Sequence, residues 1–165
     1  MKNKIFFFIA VLLLLLISLG IYLTRSVLIF EVRDQRKGRN ILQLVFKPRD
    51  VFSLQTIHSV AKTPYSHIFK IDTEGNIVLS EAVFESGGGG FPVTGDGEYS
   101  FVDGKFRMSE INRFVGILRF RVSPVSRETL LVSNAEVPLY KLVPEGTLIQ
   151  IKVSKAWVWP FLNSL

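Results

Sequence analysis

The sequence predicts an all-β domain, a sandwich or partly open barrel of about ten short antiparallel strands, preceded by one N-terminal transmembrane helix. Three observations support this fold class. Beyond residue 24 no long segment carries the 3.6-residue apolar period of an amphipathic helix. Short runs rich in Val, Ile, Phe and Leu recur there, and each ends at Gly, Pro, Asn or Asp. The chain also begins with a long apolar run, residues 5–23.

Residues 1–24 are predicted to form a membrane anchor. Lys2 and Lys4 precede the apolar run, and a helix of that length rises about 28 Å, close to the hydrocarbon thickness of a bilayer. A cleaved signal peptide is the alternative, with the small residues at 18–20 as its exit, although the apolar run continues beyond them. Basic residues also follow the run, so the positive-inside tendency does not fix the orientation. We expect a single-pass protein of the cytoplasmic membrane with its β-domain on the extracytoplasmic side.

Residues 25–155 are predicted to form that β-domain, without an internal repeat or a domain break. The polar turns "DQRKGRN", "AKTP" and "DTEGN" separate the first strands. The "DG" at 103–104 indicates a two-residue hairpin, because both positions of such a turn favour positive φ. The predicted strands are residues 27–33, 41–46, 51–60, 65–71, 77–84, 99–102, 105–108, 116–122, 129–132, 137–142 and 148–153.

Residues 156–165 form a Trp-rich C-terminal tail. Trp157 and Trp159 alternate along it, and Pro160 ends any regular strand. The tail either packs over an open end of the β-domain or places both tryptophans at a membrane interface, where an indole ring offers an apolar body and a polar N–H.

Composition and motifs limit the classes of function. The chain has 165 residues, a formal charge of +6 and no cysteine, which excludes disulfides and thiolate metal sites. No basic stretch is interleaved with aromatic residues, so nucleic acid is not expected as a partner. H-E-x-x-H and G-x-S-x-G motifs are missing, and we expect neither an enzyme nor a cofactor.

A glycine run at 87–90 lies in the segment "ESGGGGFPVTGDGEY". Phosphate-binding loops need a helix directly after the glycines, whereas here Phe91 and Pro92 follow, and Pro92 keeps Phe91 extended. The run is therefore either a flexible connection or a backbone-lined lip for an anion or another ligand.

Three arginines lie close together in the sequence, at positions 119, 121 and 127. Arg119 and Arg121 share one face of a predicted strand, opposite Leu118 and Phe120, and Arg127 follows shortly after. They are either a solvated strand face or a guanidinium cluster presented to a carboxylate ligand or an acidic partner surface.

Both histidines lie in "TIHSVAKTPYSHIFKI", residues 56–71. If the hairpin loop is residues 61–64, residue 60 opposes residue 65 and His58 lies directly opposite His67, with Cβ atoms about 4.5–5.5 Å apart. The pair then has three interpretations: hydrogen-bonded structural histidines, contact with a partner or ligand, or a metal site. Zinc needs a third and usually a fourth ligand, so two histidines alone rarely bind it.

Three segments together resemble a bacterial family known as domain of unknown function 1850. They are "HSVAKTP" at 58–64, the glycine run ending "GGGGFP", and "RVSPVSRETLLV" at 121–132 with "VPLYKLVPEGT" at 137–147. The resemblance covers about residues 27–153. Members of this family are often encoded beside TRAP-type transporters of the TAXI class, secondary transporters that use an extracytoplasmic solute-binding protein. The resemblance therefore implies a small accessory component of such a transporter, and it assigns no reaction.

The match to the family can be stated residue by residue. Residues that fit the family pattern are His58, Ser59, Thr63, Pro64, Ser123, Pro124, Arg127, Leu130, Leu131, Pro138, Leu139 and Tyr140. Two departures stand out. Ser66 and His67 replace acidic residues that the family commonly has, and Glu128 replaces a common histidine. The family pattern thus gives no support to a metal or charge-relay role for His67.

We therefore expect a membrane-anchored accessory component of a TAXI-class TRAP transporter, which contacts the transporter membrane subunit or the solute-binding protein. The candidate ligand- or partner-binding residues are His58, Lys62, Thr63, Arg119, Arg121, Arg127 and Tyr140, with Trp157 and Trp159 next to the lipid bilayer. The alternative is a small module that binds an organic acid at the glycine lip and the arginines. A metal-dependent hydrolase is a third reading.

Overall fold

Two antiparallel sheets pack against each other, which confirms the predicted β-sandwich-like fold. The structure is a computed structural model, and it describes residues 2–23, 26–58, 61–85 and 97–157. Its elements are α1 (Lys2–Leu23), β1 (Ser26–Asp34), β2 (Arg39–Phe46), β3 (Val51–Ile57), β4 (Pro64–Ile71), β5 (Ile77–Phe84), β6 (Glu98–Val102), β7 (Lys105–Ser109), β8 (Arg113–Phe114), β9 (Leu118–Arg121), β10 (Thr129–Val132), β11 (Ala135–Pro138), α2 (Leu139–Leu142) and β12 (Leu148–Trp157).

The smaller sheet has the strand order β2-β1-β12-β9. Strand β1 pairs with β12 along its whole length, from Ser26 opposite Trp157 to Asp34 opposite Ile149. The turn into β2 is held by the buried carboxylate of Asp34, which accepts the N–H groups of Arg36 and Lys37 at 3.0 and 3.1 Å. A short acidic side chain suits this place because it reaches the backbone two or three residues further on.

The larger sheet has the order β11-β10-β3-β4-β5-β7-β6, and β8 also pairs with β5. Strands β6 and β7 are joined by Asp103 and Gly104, both at positive φ, as the dipeptide predicts. Between β4 and β5, Asp72 accepts the N–H groups of Asn76 and Glu74 at 2.8 and 2.9 Å. The hydrogen bonds from Asn76, then those from Glu74 and Gly75, lower the pKa of the Asp72 carboxyl, because they favour its charged form.

Four phenylalanines join the two sheets at the centre of the core. Phe30 of β1 stacks on Phe46 of β2 with ring centroids 4.4 Å apart, and it meets Phe52 of β3 edge-on at 4.9 Å. Phe52 in turn stacks on Phe69 of β4 at 5.0 Å. Of these three contacts, only that between Phe30 and Phe52 joins strands of different sheets, and the two stacks lie within one sheet each. Because aromatic rings bury a large apolar area each, this cluster stabilises the packing of the two sheets.

Two predicted strand boundaries are wrong. The strand predicted to end at residue 60 ends at Ile57, because His58 already belongs to a hydrogen-bonded loop. The strand predicted over 137–142 is the end of β11 followed by the helical turn α2. Pro138 lacks the N–H that would continue the ladder, and the next residue, Leu139, is fully buried in the core.

The predicted localisation is also wrong. A membrane-spanning helix must carry an apolar surface across the whole hydrocarbon layer. The part of the chain that the structure describes contains no helix long and apolar enough to do so. This finding contradicts the expected single-pass protein of the cytoplasmic membrane, and the transmembrane assignment of the N-terminal helix is withdrawn with it.

Candidate functional site

Between β3 and β4 the structure describes residues 58 and 61–63, which include three of the predicted site residues. The backbone N–H of His58 donates to the carbonyl of Thr63, and the N–H of Lys62 donates to the carbonyl of His58, both at 2.9 Å. The imidazole Nδ1 of His58 accepts the N–H of Ala61 at 3.1 Å. His58 therefore shapes this loop, while Lys62 is exposed at positive φ. The hydroxyl of Thr63 is buried and has no hydrogen-bond partner among the described residues.

The second motif segment forms a tight turn at residues 123–128. The N–H of Arg127 donates to the carbonyl of Ser123 at 2.9 Å. The buried carboxylate of Glu128 closes the turn: it accepts the N–H of Ser123 at 2.8 Å and the hydroxyl of Ser126 at 2.5 Å. Arg127 is exposed and has positive φ, so its backbone is fixed in a conformation that side-chain-bearing residues rarely adopt.

These two segments lie side by side. The N–H of Ile57, the last residue of β3, donates to the carbonyl of Ser126 at 2.7 Å. Residues 58 and 61–63 and the turn 123–128 thus form one surface, which we term the motif surface. Both parts are held by short backbone hydrogen bonds, and the exposed cations Lys62 and Arg127 belong to it. Segments separated by about sixty residues in the sequence are in this way brought to one end of the sandwich.

The predicted pairing of the two histidines is wrong. In the structure Leu54 lies opposite His67, and Thr56 lies opposite Tyr65, where the prediction placed residues 58 and 60. β3 ends at Ile57 and β4 begins at Pro64, because the hydrogen bonds of His58 with Lys62 and Thr63 end the strand pairing earlier than predicted. The observed partner of His67 on β3 differs from the predicted one by an even number of residues. His67 therefore still lies on the same face of the sheet as in the prediction.

His67 lies on the inner face of the larger sheet. Leu54 and Ala82 are its partners on the two neighbouring strands, and the ring of Tyr65 meets its imidazole edge-on with centroids 4.5 Å apart. Burial lowers the pKa of His67 to about 4, and the positive charge of Arg113 contributes to the same shift. The imidazole is therefore neutral at neutral pH and offers one hydrogen-bond donor and one acceptor.

A cavity of about 350 Å³ lies between the two sheets beside His67. Its apolar wall is formed by Leu54, Phe69, Leu79, Val115, Leu118 and Phe120. Its polar lining consists of Thr56, His67, Arg113 and Glu128. Glu128 therefore belongs both to the cavity and to the turn of the motif surface, which places the two features next to each other.

The arginines at 119 and 121 lie elsewhere. Both are exposed on β9, an edge strand of the smaller sheet, while Leu118 and Phe120, which alternate with them, line the cavity. The guanidinium of Arg121 donates to the carbonyl of Gly146 at 2.9 Å. Arg127 is placed in the motif surface, apart from this strand. A role in ligand or partner binding for Arg119 and Arg121 stays a prediction.

The remaining predicted residues are spread over the fold. Tyr140 lies in α2, is half-buried against the core, and has the ammonium of Lys141 5.6 Å from its ring centroid. Trp157 is the last residue of β12, paired with Ser26. Trp159 and the glycine run 87–90 lie outside the described residues, so the bilayer contact of the tryptophans and the role of the glycine run stay predictions.

Two cavity residues were missed by the sequence-based reasoning. Arg113 follows the short segment "EIN" and gave no signal of its own. Glu128 was noted only as a departure from a family pattern, although a carboxylate two residues after a serine is a common way to fix a turn. Across residues 2–23, 26–58, 61–85 and 97–157, no three His, Asp or Glu side chains are grouped so that they could hold a metal ion. The hydrolase alternative therefore has no metal site in this part of the chain.

Comparison with known proteins gives one match. The model of the family described as "Domain of unknown function (DUF1850)" matches residues 52–139, which include the hairpin loop, the cavity residues of β3, β4 and β9, and the turn 123–128. No curated protein and no solved structure matches the chain.

Proposed function

Since the chain belongs to the family of the domain of unknown function 1850, we propose that it is an accessory component of a TAXI-class TRAP transporter that acts by protein–protein contact. The gene neighbours that the resemblance implies suggest the transporter. The motif surface supports contact as the mode of action. Its two segments lie in sequence patterns on which the resemblance to the family rests, and the hydrogen bond between Ile57 and Ser126 joins them into a single surface.

The motif surface has the properties of a preorganised contact site. Its loop and its turn are each closed by backbone hydrogen bonds of 2.9 Å, so little conformational entropy is lost when a partner binds. Lys62 and Arg127 add two exposed positive charges to it. An acidic patch on the solute-binding protein or on the transporter membrane subunit is the complementary partner surface, because opposite potentials increase the association rate and fix the orientation.

Co-purification tests this proposal. The tagged full chain is expressed together with the membrane subunit and the solute-binding protein of a TAXI-class TRAP transporter from the same genome, and it is captured under mild conditions. We expect the subunits to be recovered with the wild type, and recovery to fall about tenfold or more with the Lys62→Glu/Arg127→Glu double variant. The matched control is Arg36→Glu/Lys47→Glu, which removes two exposed cations elsewhere and changes the net charge by the same amount. Loss of the subunits already from the wild type, or equal recovery with both double variants, would contradict the proposal.

A further inference from the structure

The cavity between the sheets has the character of a small-molecule site. We propose that it binds a small carboxylic acid with an apolar body, whose carboxylate lies towards Arg113. The proposal concerns a site that is separate from the charged contacts of the motif surface, and it does not depend on the transporter role. Three properties of the cavity lead to it: its size, its apolar wall and the arrangement of its few polar groups.

The size suits a small ligand. At about 350 Å³ the cavity lies at the lower end of the range of known small-molecule sites, about 300–1,000 Å³. Liquid water occupies ~30 Å³ per molecule, so the volume corresponds to roughly a dozen non-hydrogen atoms. An amino acid side chain or a short fatty or aromatic acid is of this size, whereas a nucleotide is too large.

The wall of the cavity is apolar and comes from both sheets. Leu54 and Phe69 of the larger sheet are buried, and Leu118 and Phe120 of the smaller sheet lie half-buried among the other lining residues. An apolar wall with a few polar groups stabilises a bound molecule mainly by removing its hydrocarbon surface from water, and the polar groups then select its orientation.

The polar groups favour an acid over an amine. Glu128 is the acidic group of the lining, but its two oxygens already accept the N–H of Ser123 and the hydroxyl of Ser126. Arg113 is the cation of the lining, and its exposure places it at the solvent side of the cavity. Its charge lowers the pKa of His67, so its positive field reaches the inner part of the lining. Neutral His67 can donate one further hydrogen bond to a carboxylate oxygen.

Three probes that share the same phenylbutyl group test whether the cavity prefers an acid, a neutral alcohol or an amine. They are 4-phenylbutyrate, 4-phenylbutan-1-ol and 4-phenylbutylamine, each with about a dozen non-hydrogen atoms, matching the cavity by the ~30 Å³ estimate. Isothermal titration calorimetry of the full chain is expected to show the acid binding about tenfold or more tightly than the alcohol, and the amine binding weakest.

Two arginine variants test the placement of the carboxylate. Arg113→Gln is expected to weaken binding of the acid about tenfold while leaving the alcohol unchanged. Arg39→Gln is the matched control, because it removes an exposed arginine of β2 that does not line the cavity. Circular dichroism of both variants confirms that they are folded.

The two histidines supply a second, independent measurement. The chain contains only these two, so their imidazole C–H resonances can be assigned by one substitution. The acid is expected to shift the resonance of His67, because His67 lines the cavity. The resonance of His58 is expected to stay unchanged, because His58 is not part of the cavity lining. The proposal is overturned if none of the probes binds at millimolar concentration, if the acid binds no better than the alcohol, or if Arg113→Gln and Arg39→Gln behave alike.

Discussion

Lowering the pH is predicted to destabilise the fold through His67. Burial and Arg113 lower the pKa of this imidazole to about 4, whereas an unfolded chain has the ordinary value of 6.5. Between these values the unfolded state binds a proton that the folded state does not, so stability falls as the pH falls. With a folded pKa of about 4, the linkage relation gives a loss of about 2 kcal/mol between pH 7.5 and 5.0. The loss reaches about 3 kcal/mol at pH 4 and becomes complete only below that pH, where the folded imidazole is protonated as well.

The assay is urea denaturation of the full chain at pH 7.5, 6.5, 5.5 and 5.0, for the wild type and for His67→Gln. Carboxylates such as Asp72, whose pKa is lowered by hydrogen bonds from Asn76, also remove stability as the pH falls. They do so equally in both proteins, so the difference between the two free energies of unfolding isolates His67. That difference is expected to shift by about 2 kcal/mol in favour of the variant between pH 7.5 and 5.0.

His58→Gln is the matched control, since it removes the other histidine and keeps His67 in the fold. It loses the hydrogen bond to Ala61 but retains the pH dependence that arises from His67. The reasoning is refuted if the wild type and His67→Gln lose stability in parallel over this range. A midpoint near 6.5 in an NMR titration of the His67 imidazole would refute it as well.

Three further changes of stability are expected, each measured by urea denaturation. Phe52→Ala removes the ring that contacts both sheets and is expected to cost about 3–5 kcal/mol, whereas Phe101→Ala, at 63% exposure, costs much less. Glu128→Gln weakens both hydrogen bonds that close the turn and is expected to cost about 1–3 kcal/mol. Gly97→Ala is expected to cost more than ~2 kcal/mol, because at positive φ its Cβ would collide with a backbone carbonyl of β7. Gly104→Ala, with open space around it, is expected to cost about 1 kcal/mol; equal losses at both glycines would contradict the steric argument.

Local features of the fold followed from the sequence with little ambiguity. The "DG" turn at 103–104 has positive φ at both residues, and Asp72 accepts the backbone N–H groups of its own turn. On β9, the alternation of arginine with Leu118 and Phe120 separates an exposed face from one that lines the cavity. These features depend on residues close in sequence, and short-range sterics and hydrogen bonding are enough to decide them.

The pairing of strands was harder to predict. Which residue lies opposite His67 depends on where the β3–β4 loop closes, and the imidazole and backbone of His58 close it at Thr63. A turn of four residues is equally compatible with the apolar alternation of both strands, because a shift by an even number of residues keeps every side chain on its face. The sequence pattern alone therefore does not distinguish the two registers.

By itself, the sequence determined the all-β class, the family and the absence of disulfides. Apolar alternation, turn residues and motif order are properties of short segments and can be read directly. Only the tertiary structure decided that Ile57 meets Ser126, and that His67, Arg113 and Glu128 line one cavity. These residues come from distant segments and from two sheets, and their meeting depends on strand register and on how the sheets pack. Such contacts arise from the collective burial of the core, which no local pattern encodes.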